Sequence, residues 1–284
     1  MTTSLAQKAM LVSLNISSWQ ARKQDKSATA TVQQQSGSKE GTGRYNKTLI
    51  AKEALKTVQA TIGAARTFHY TNTLPWNDNG ARILPAANFL PYTEEMRKLK
   101  GAFQNAVNAL LDNYPALVQE AKGLLGSLYN ETDYPSASQI SRKFDFDFFV
   151  DPLPDAGDFR VTLQSDEVQA IQAQIKARVE AAQQTAMTDL WDRLKDVLGK
   201  VEERLSDSEK TFHDSLIGNV AELTDLIPRL NITGDRKLTR TVALIEDKIA
   251  TLDPASLRSN PIERKDAAKD AKAILDLMAG YCGG

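Results

Sequence analysis

Two histidines and a single cysteine limit the chemistry open to this 284-residue chain. His69 and His213 would need carboxylates from distant segments to hold zinc, because Cys282 is the sole thiol. His213, Asp214 and Ser215 spell the letters of a hydrolytic triad. They fall in a helical pattern, however, where consecutive side chains project about 100° apart and cannot converge. Asp145 and Asp147 share one side of a strand pattern, with Asp151 nearby, and paired carboxylates can hold magnesium for phosphoryl chemistry. The same acids also form the wet face of a strand whose other face is Phe144, Phe146 and Phe148, and that reading is preferred. Gly37, Gly41 and Gly43 lie near Lys39 and Arg44 but lack the spacing of a nucleotide phosphate loop; they read as a surface loop. In Asn77-Asp78-Asn79-Gly80 the first calcium-ligand position would fall on Pro75, so a tight turn is expected. No catalytic residue, metal or cofactor is expected, and the chain reads as non-enzymatic.

Charge is more informative. Residues 1–70 hold ten basic and three acidic residues, a surplus of seven, whereas the remainder holds 25 basic and 33 acidic. Such asymmetry suits a polyanion partner, head-to-tail self-association, or two surfaces that satisfy each other within one fold. Cations that track phosphates, interleaved with aromatic rings that stack on bases, suit single-stranded nucleic acid. The candidates are Arg22, Lys23, Lys26, Arg44, Lys47 and Lys52 for phosphates, with Trp19 and Tyr45 for stacking. The competing view makes the aromatics core and the lysines solubilising.

The elements that must position these residues follow from hydrophobic spacing. Between 165 and 205 the apolar residues Val168, Ile171, Ile175, Val179, Ala182, Ala186, Leu190, Leu194, Val197, Val201 and Leu205 form one stripe of a long helix. The stripe needs a partner. The nearest is the helix of Phe212, Leu216, Val220, Leu223, Ile227 and Leu230, which a short link returns along the strut as an antiparallel hairpin. Two further helices are expected near 235–252 and 261–280. Upstream, residues 10–17 alternate as a half-buried strand, 19–35 read as a weak helix, and 36–43 as a flexible loop. A helix is expected over 45–65, an ordered proline-rich loop over 67–91, and a helix capped by Thr93 that meets Pro115 and resumes to about 128. Phe144–Val150 and Phe159–Leu163 alternate as two strands of a hairpin, with 10–17 as a third strand.

Apolar residues make up 42% of the chain, enough for a core, yet no apolar run approaches the ~18 residues of a spanning helix. No signal peptide is evident and one cysteine forms no internal disulfide, so a cytoplasmic protein without membrane contact is expected.

Tyr45-Asn-Lys47, Asn72-Thr-Leu-Pro-Trp76, Leu84-Pro-Ala-Ala-Asn-Phe89 and the run from Pro154 to Val161 resemble an uncharacterised family of bacteriophage and integrative-element proteins. Asp214-Ser-Leu216 and Pro228-Arg-Leu-Asn231 fit the same pattern. Members are often encoded near a MoxR-type ring ATPase and a von Willebrand A-domain protein. The resemblance implies an accessory protein of a virus or mobile element in the bacterial cytoplasm, with a ring ATPase among its partners. It supplies no catalytic residues.

The fold expected is α+β and predominantly helical, with a long antiparallel helical hairpin and a small antiparallel sheet. Residues 1–164 would form a mixed head and 165–284 the hairpin with the C-terminal helices, as two domains or one continuous body. The function expected first is a helical scaffold or adaptor in a protein assembly, with Trp191, beside Leu190 and Leu194, as a natural contact anchor if exposed. The alternative is single-stranded nucleic-acid binding by the basic first third.

Overall fold

The structure is a computed structural model that describes residues 5–76, 80–155 and 165–282. In chain order its elements are β1 (Ala9–Ser17), β2 (Arg22–Gln24), α1 (Lys26–Ser36), β3 (Asn46–Thr48), α2 (Lys56–Thr71), β4 (Leu74–Pro75), β5 (Arg82–Pro85) and α3 (Phe89–Leu125). Then follow α4 (Ala137–Ser141), β6 (Asp145–Pro152), α5 (Ser165–Ser206), α6 (Ser215–Leu230), α7 (Arg236–Ile245), α8 (Pro254–Ser259) and α9 (Pro261–Cys282). The fold is α+β and predominantly helical, as the sequence indicates. One small sheet runs β4-β5-β1-β6 and a second pairs β2 with β3. Among the described residues no helix is long and apolar enough to cross a membrane.

Contacts divide the chain into two units. The first holds Met1–Ser13, Tyr70–Tyr92 and Phe149–Gly284; the second holds Leu14–His69 and Thr93–Phe148. This grouping differs from the expected division at residue 164. Core packing is the reason: Ala9–Val12 pair antiparallel with Arg82–Pro85, and Leu5, Ala9, Leu74 and Ile83 join the same buried cluster as α5 and α9.

In the first unit, α5 is one helix of 42 residues, so the expected rod is present. The covering of the rod is richer than expected. Helix α6 does return along it: just beyond its end, the Thr233 hydroxyl lies 3.3 Å from the Met187 sulfur. The larger partner is α9, also antiparallel, because Arg264 near its start reaches the carbonyls of Arg204 and Leu205 while Tyr281 near its end packs edge-on against Trp191 at 5.9 Å. Leu190, Leu194, Leu198, Val201 and Leu205 are buried between these helices. Further toward the start of α5, Val168, Ile171, Ile175 and Val179 are only half-buried.

The burial corrects one expectation. Trp191 is 9% exposed, and Leu190 and Leu194 are fully enclosed, so the proposed contact anchor is core. Their spacing on the rod points them at α9 rather than at solvent.

Two arginines fasten helix ends within this unit. Arg264 gives Nε–H to Leu205 O at 3.2 Å, and its Nη2 lies 2.7, 2.5 and 2.7 Å from the carbonyls of Arg204, Asp207 and Lys210. A cation thus meets the negative, unsatisfied carbonyl end of α5. Arg193 does the same at the end of α2, donating to the Tyr70, Thr71 and Thr73 carbonyls at 3.2, 2.6 and 2.8 Å.

The second unit is built on α2 and α3. Helix α3 starts at Phe89 rather than after Thr93, and it runs through Pro115 without a break. Tyr114 and Leu117, either side of that proline, are buried. Phe103 packs on Phe146 of β6 with ring centroids 5.5 Å apart, as the alternating strand pattern implies. Its expected hairpin partner at Phe159–Leu163 and the turn at Asn77–Asn79 lie outside the described residues. The helix expected over 45–65 begins only at Lys56, because Asn46–Thr48 are drawn into the ladder with Arg22–Gln24.

Candidate nucleic-acid interface

The second unit carries an excursion between β2 and β3 that consists of α1 and the loop after it. Helix α1 has no buried residue. A polar helix of this kind lacks the apolar stripe that fixes most helices, so its ends must hold it. At its start the Asp25 carboxylate accepts the Ala28 N–H at 2.9 Å. At its end Gly37, at φ +64, turns the chain in the left-handed region so that Ser38 N–H bonds back to Gln33 O at 3.1 Å. Tyr45 N–H donates to the Thr29 hydroxyl at 3.0 Å and closes the loop onto the helix.

A buried charge cluster anchors the base of the excursion. Lys23 and Lys47 are directly opposed in the β2–β3 ladder, a pairing that like charges would disrupt. Asp133 resolves it by bridging both, at 2.7 Å to Lys23 and 2.6 Å to Lys47. The Lys47 ammonium also reaches Asp25 at 2.8 Å and the Leu128 carbonyl at 2.7 Å, so each of its three protons has an acceptor. Burial by itself would lower the Lys47 pKa, but the hydrogen bonds to Asp133 and Asp25 hold it above the usual lysine value. Burial likewise pushes the Asp133 carboxyl up, and Lys23 and Lys47 more than offset it, leaving it below the usual carboxylate value. The Ala28 N–H and then Lys47 hold Asp25 low in the same way.

Above this base, Lys26, Thr29, Ala30 and Gln33 form one face of α1 at helical spacing. Across from them the loop supplies Glu40, Gly41, Gly43 and Arg44, and together with Gln24 they enclose a groove of about 360 Å3. Strand alternation puts Arg22 on the same ribbon face as Gln24, opposite to Lys47. Tyr45, beside Arg44, is 40% exposed.

The sequence-derived candidates therefore separate. Lys26 and Arg44 both line the groove; Arg22, two residues before Gln24 on β2, and Tyr45, next to Arg44, are not among its lining residues. Lys52 is exposed on a 3-10 turn before α2 and does not line the groove. Lys47, 5% exposed and consumed by two aspartates, is not free to meet a phosphate; it positions the excursion instead. Lys23 is half-exposed and tied to Asp133. Trp19, 6% exposed, packs edge-on against Tyr114 at 5.8 Å and so offers no stacking face. Among the described residues, Arg22, Lys26, Arg44, Lys52 and Glu40 form no ion pair.

Sequence reasoning missed Gln24, Thr29, Gln33 and Glu40. The available signal was the polar face 26-29-30-33, which hydrophobic periodicity ignores. A second groove of about 400 Å3 lies beside α9, and its Glu263, Asp266 and Asp270 give it the opposite electrostatic character. Among the described residues, no cluster of three or more metal-ligating side chains is found.

Set against protein-family models, curated proteins and solved structures, the chain matches none of them.

Proposed function

We propose that the protein binds a polyanion through this excursion, and that the polyanion is single-stranded nucleic acid. The observation that carries the reading is an excursion whose helix has no buried residue, displayed on an ion-paired base, and whose groove is lined by Lys26 of the helix and Arg44 of the loop, neither of them in an ion pair among the described residues. Lys26 and Arg44 would sit at phosphates in the groove, Arg22 would extend their track, and Tyr45, the aromatic residue of the excursion, offers a ring for stacking. The resemblance to phage and integrative-element proteins suits an accessory role in the bacterial cytoplasm, with a ring ATPase as a candidate partner.

Fluorescence anisotropy with a labelled 12-nucleotide single strand at two salt concentrations tests the reading. Three phosphate contacts give a log–log salt slope of about −2. Arg22→Glu, Lys26→Glu and Arg44→Glu combined should abolish binding. Failure of the unaltered protein to bind at low salt refutes the proposal.

A second reading, a scaffold that self-assembles through α5, draws on Val168, Ile171 and Ile175, which stay half-buried where Leu190 and Leu194 are enclosed. Light scattering decides it, since a monomer at high concentration removes self-assembly.

A further inference from the structure

Glu40 does not belong in a groove that only tracks phosphates. A carboxylate there repels the backbone that Lys26 and Arg44 attract. It is not spent on those cations either, since among the described residues Glu40 forms no ion pair. Its backbone sits in a defined turn. The Thr42 N–H and hydroxyl both donate to Lys39 O, at 3.3 and 2.7 Å, closing a turn with Glu40 and Gly41 at its centre. Gly41 has φ +88, the left-handed conformation that the third residue of a type II turn requires. Glu40 thus stands at the first central position of this turn, exposed, and lines the groove together with Gln33 of the helix.

Among nucleobases, guanine alone presents two adjacent donors, N1–H and the 2-amino group, that match the two oxygens of a carboxylate. Adenine and cytosine place an acceptor nitrogen beside their amino group, and thymine flanks its single N–H with two carbonyls, so each of these sets a lone pair against the carboxylate. In a single strand that edge is unpaired and available. We propose that the groove holds one guanine nucleotide of a single strand, with Glu40 accepting from its N1–H and 2-amino group and Lys26 and Arg44 meeting the flanking phosphates. This inference rests on the reading of the excursion as a nucleic-acid interface and adds base selectivity to it.

The test uses the full chain and labelled T12, (TTA)4, (TTG)4 and the inosine counterpart (TTI)4 in anisotropy titrations at one low salt concentration. A bidentate carboxylate–base contact on an exposed rim should favour (TTG)4 over (TTA)4 about fivefold or more. (TTI)4, which lacks the 2-amino group, should lose most of that gain. Glu40→Gln should erase the preference while T12 binds as well or better, because a repulsive charge has gone. The mutation touches no contact of the fold, so circular dichroism should be unchanged. Equal affinity for (TTG)4 and (TTA)4, or a guanine preference that survives Glu40→Gln, overturns this inference and leaves nucleic-acid binding standing. Failure of every strand to bind overturns both.

Discussion

Lys47→Met should unfold the second unit at markedly lower denaturant, and the structure sets the size of the effect. The side chain is 4% exposed and engages Asp25, Asp133 and the Leu128 carbonyl at 2.6 to 2.8 Å. Removing one member of a buried pair typically costs 3–5 kcal/mol, because the remaining charge is left without its counterion. Here Asp133 keeps Lys23 and Asp25 keeps the Ala28 N–H, so the loss should fall at the low end, about 3 kcal/mol. With a urea slope of about 2 kcal/mol per molar for a domain of this size, the midpoint drops by about 1.5 M. Trp19 reports on this unit, and Trp76 and Trp191 belong to the other, so a Trp76→Phe, Trp191→Phe background isolates its fluorescence. Adding Asp133→Leu to Lys47→Met should cost less than the two single effects together, the signature of direct coupling. A midpoint shift under about 0.3 M, or strict additivity, would refute the claim that this cluster holds the base of the excursion.

The pH profile of the same signal should be flat through neutrality. Asp25 and Asp133 titrate below the ordinary 3.8 in the folded state, so their contribution is present above that value and lost as pH falls through their lowered pKa values. Lys47 titrates above its ordinary 10.5, so its contribution is complete below 10.5 and lost only as pH rises beyond it. Lys47→Met should therefore shrink the acid-dependent loss, as acid titrations followed by Trp19 fluorescence would show. Arg264→Lys should lower the melting temperature of the first unit, at a cost of about 2 kcal/mol, because an ammonium lacks the fork that reaches four carbonyls; calorimetry measures it. Leu194→Ala, at a residue 1% exposed, should cost about 2–5 kcal/mol in denaturation while single-strand affinity in the folded protein stays unchanged.

The rod was the most legible element, because an apolar residue every three or four positions over forty residues admits few alternatives. Its stripe could not say which helix covers it, and α6 was the nearest candidate where α9 takes the larger share. The excursion was the least legible. Strands of three residues carry no usable periodicity, and α1 has no apolar face to register. Lys23 and Lys47 look alike in the sequence. Both meet Asp133, far along the chain, but only Lys47 also reaches Asp25 and the Leu128 carbonyl, which makes one a buried anchor and the other a half-exposed partner. Trp19 was ambiguous for the same reason, since an aromatic among cations stacks on a base or on its own core according to what the fold brings to it, here Tyr114. The short 46–48 strand and the late start of α2 show tertiary pairing overriding a helical pattern.

The core of the first unit gathers Leu5, Ala9, Leu74, Ile83, Leu190 and Met278 into one cluster. Vectorial synthesis on the ribosome must therefore reach α9 before that cluster can close. Until α9 emerges from the exit tunnel, the Leu190–Leu205 edge of the nascent rod lacks its principal lid. It is a natural substrate for holdase chaperones during that interval, and a stop codon before residue 261 would release a chain that proteases find quickly.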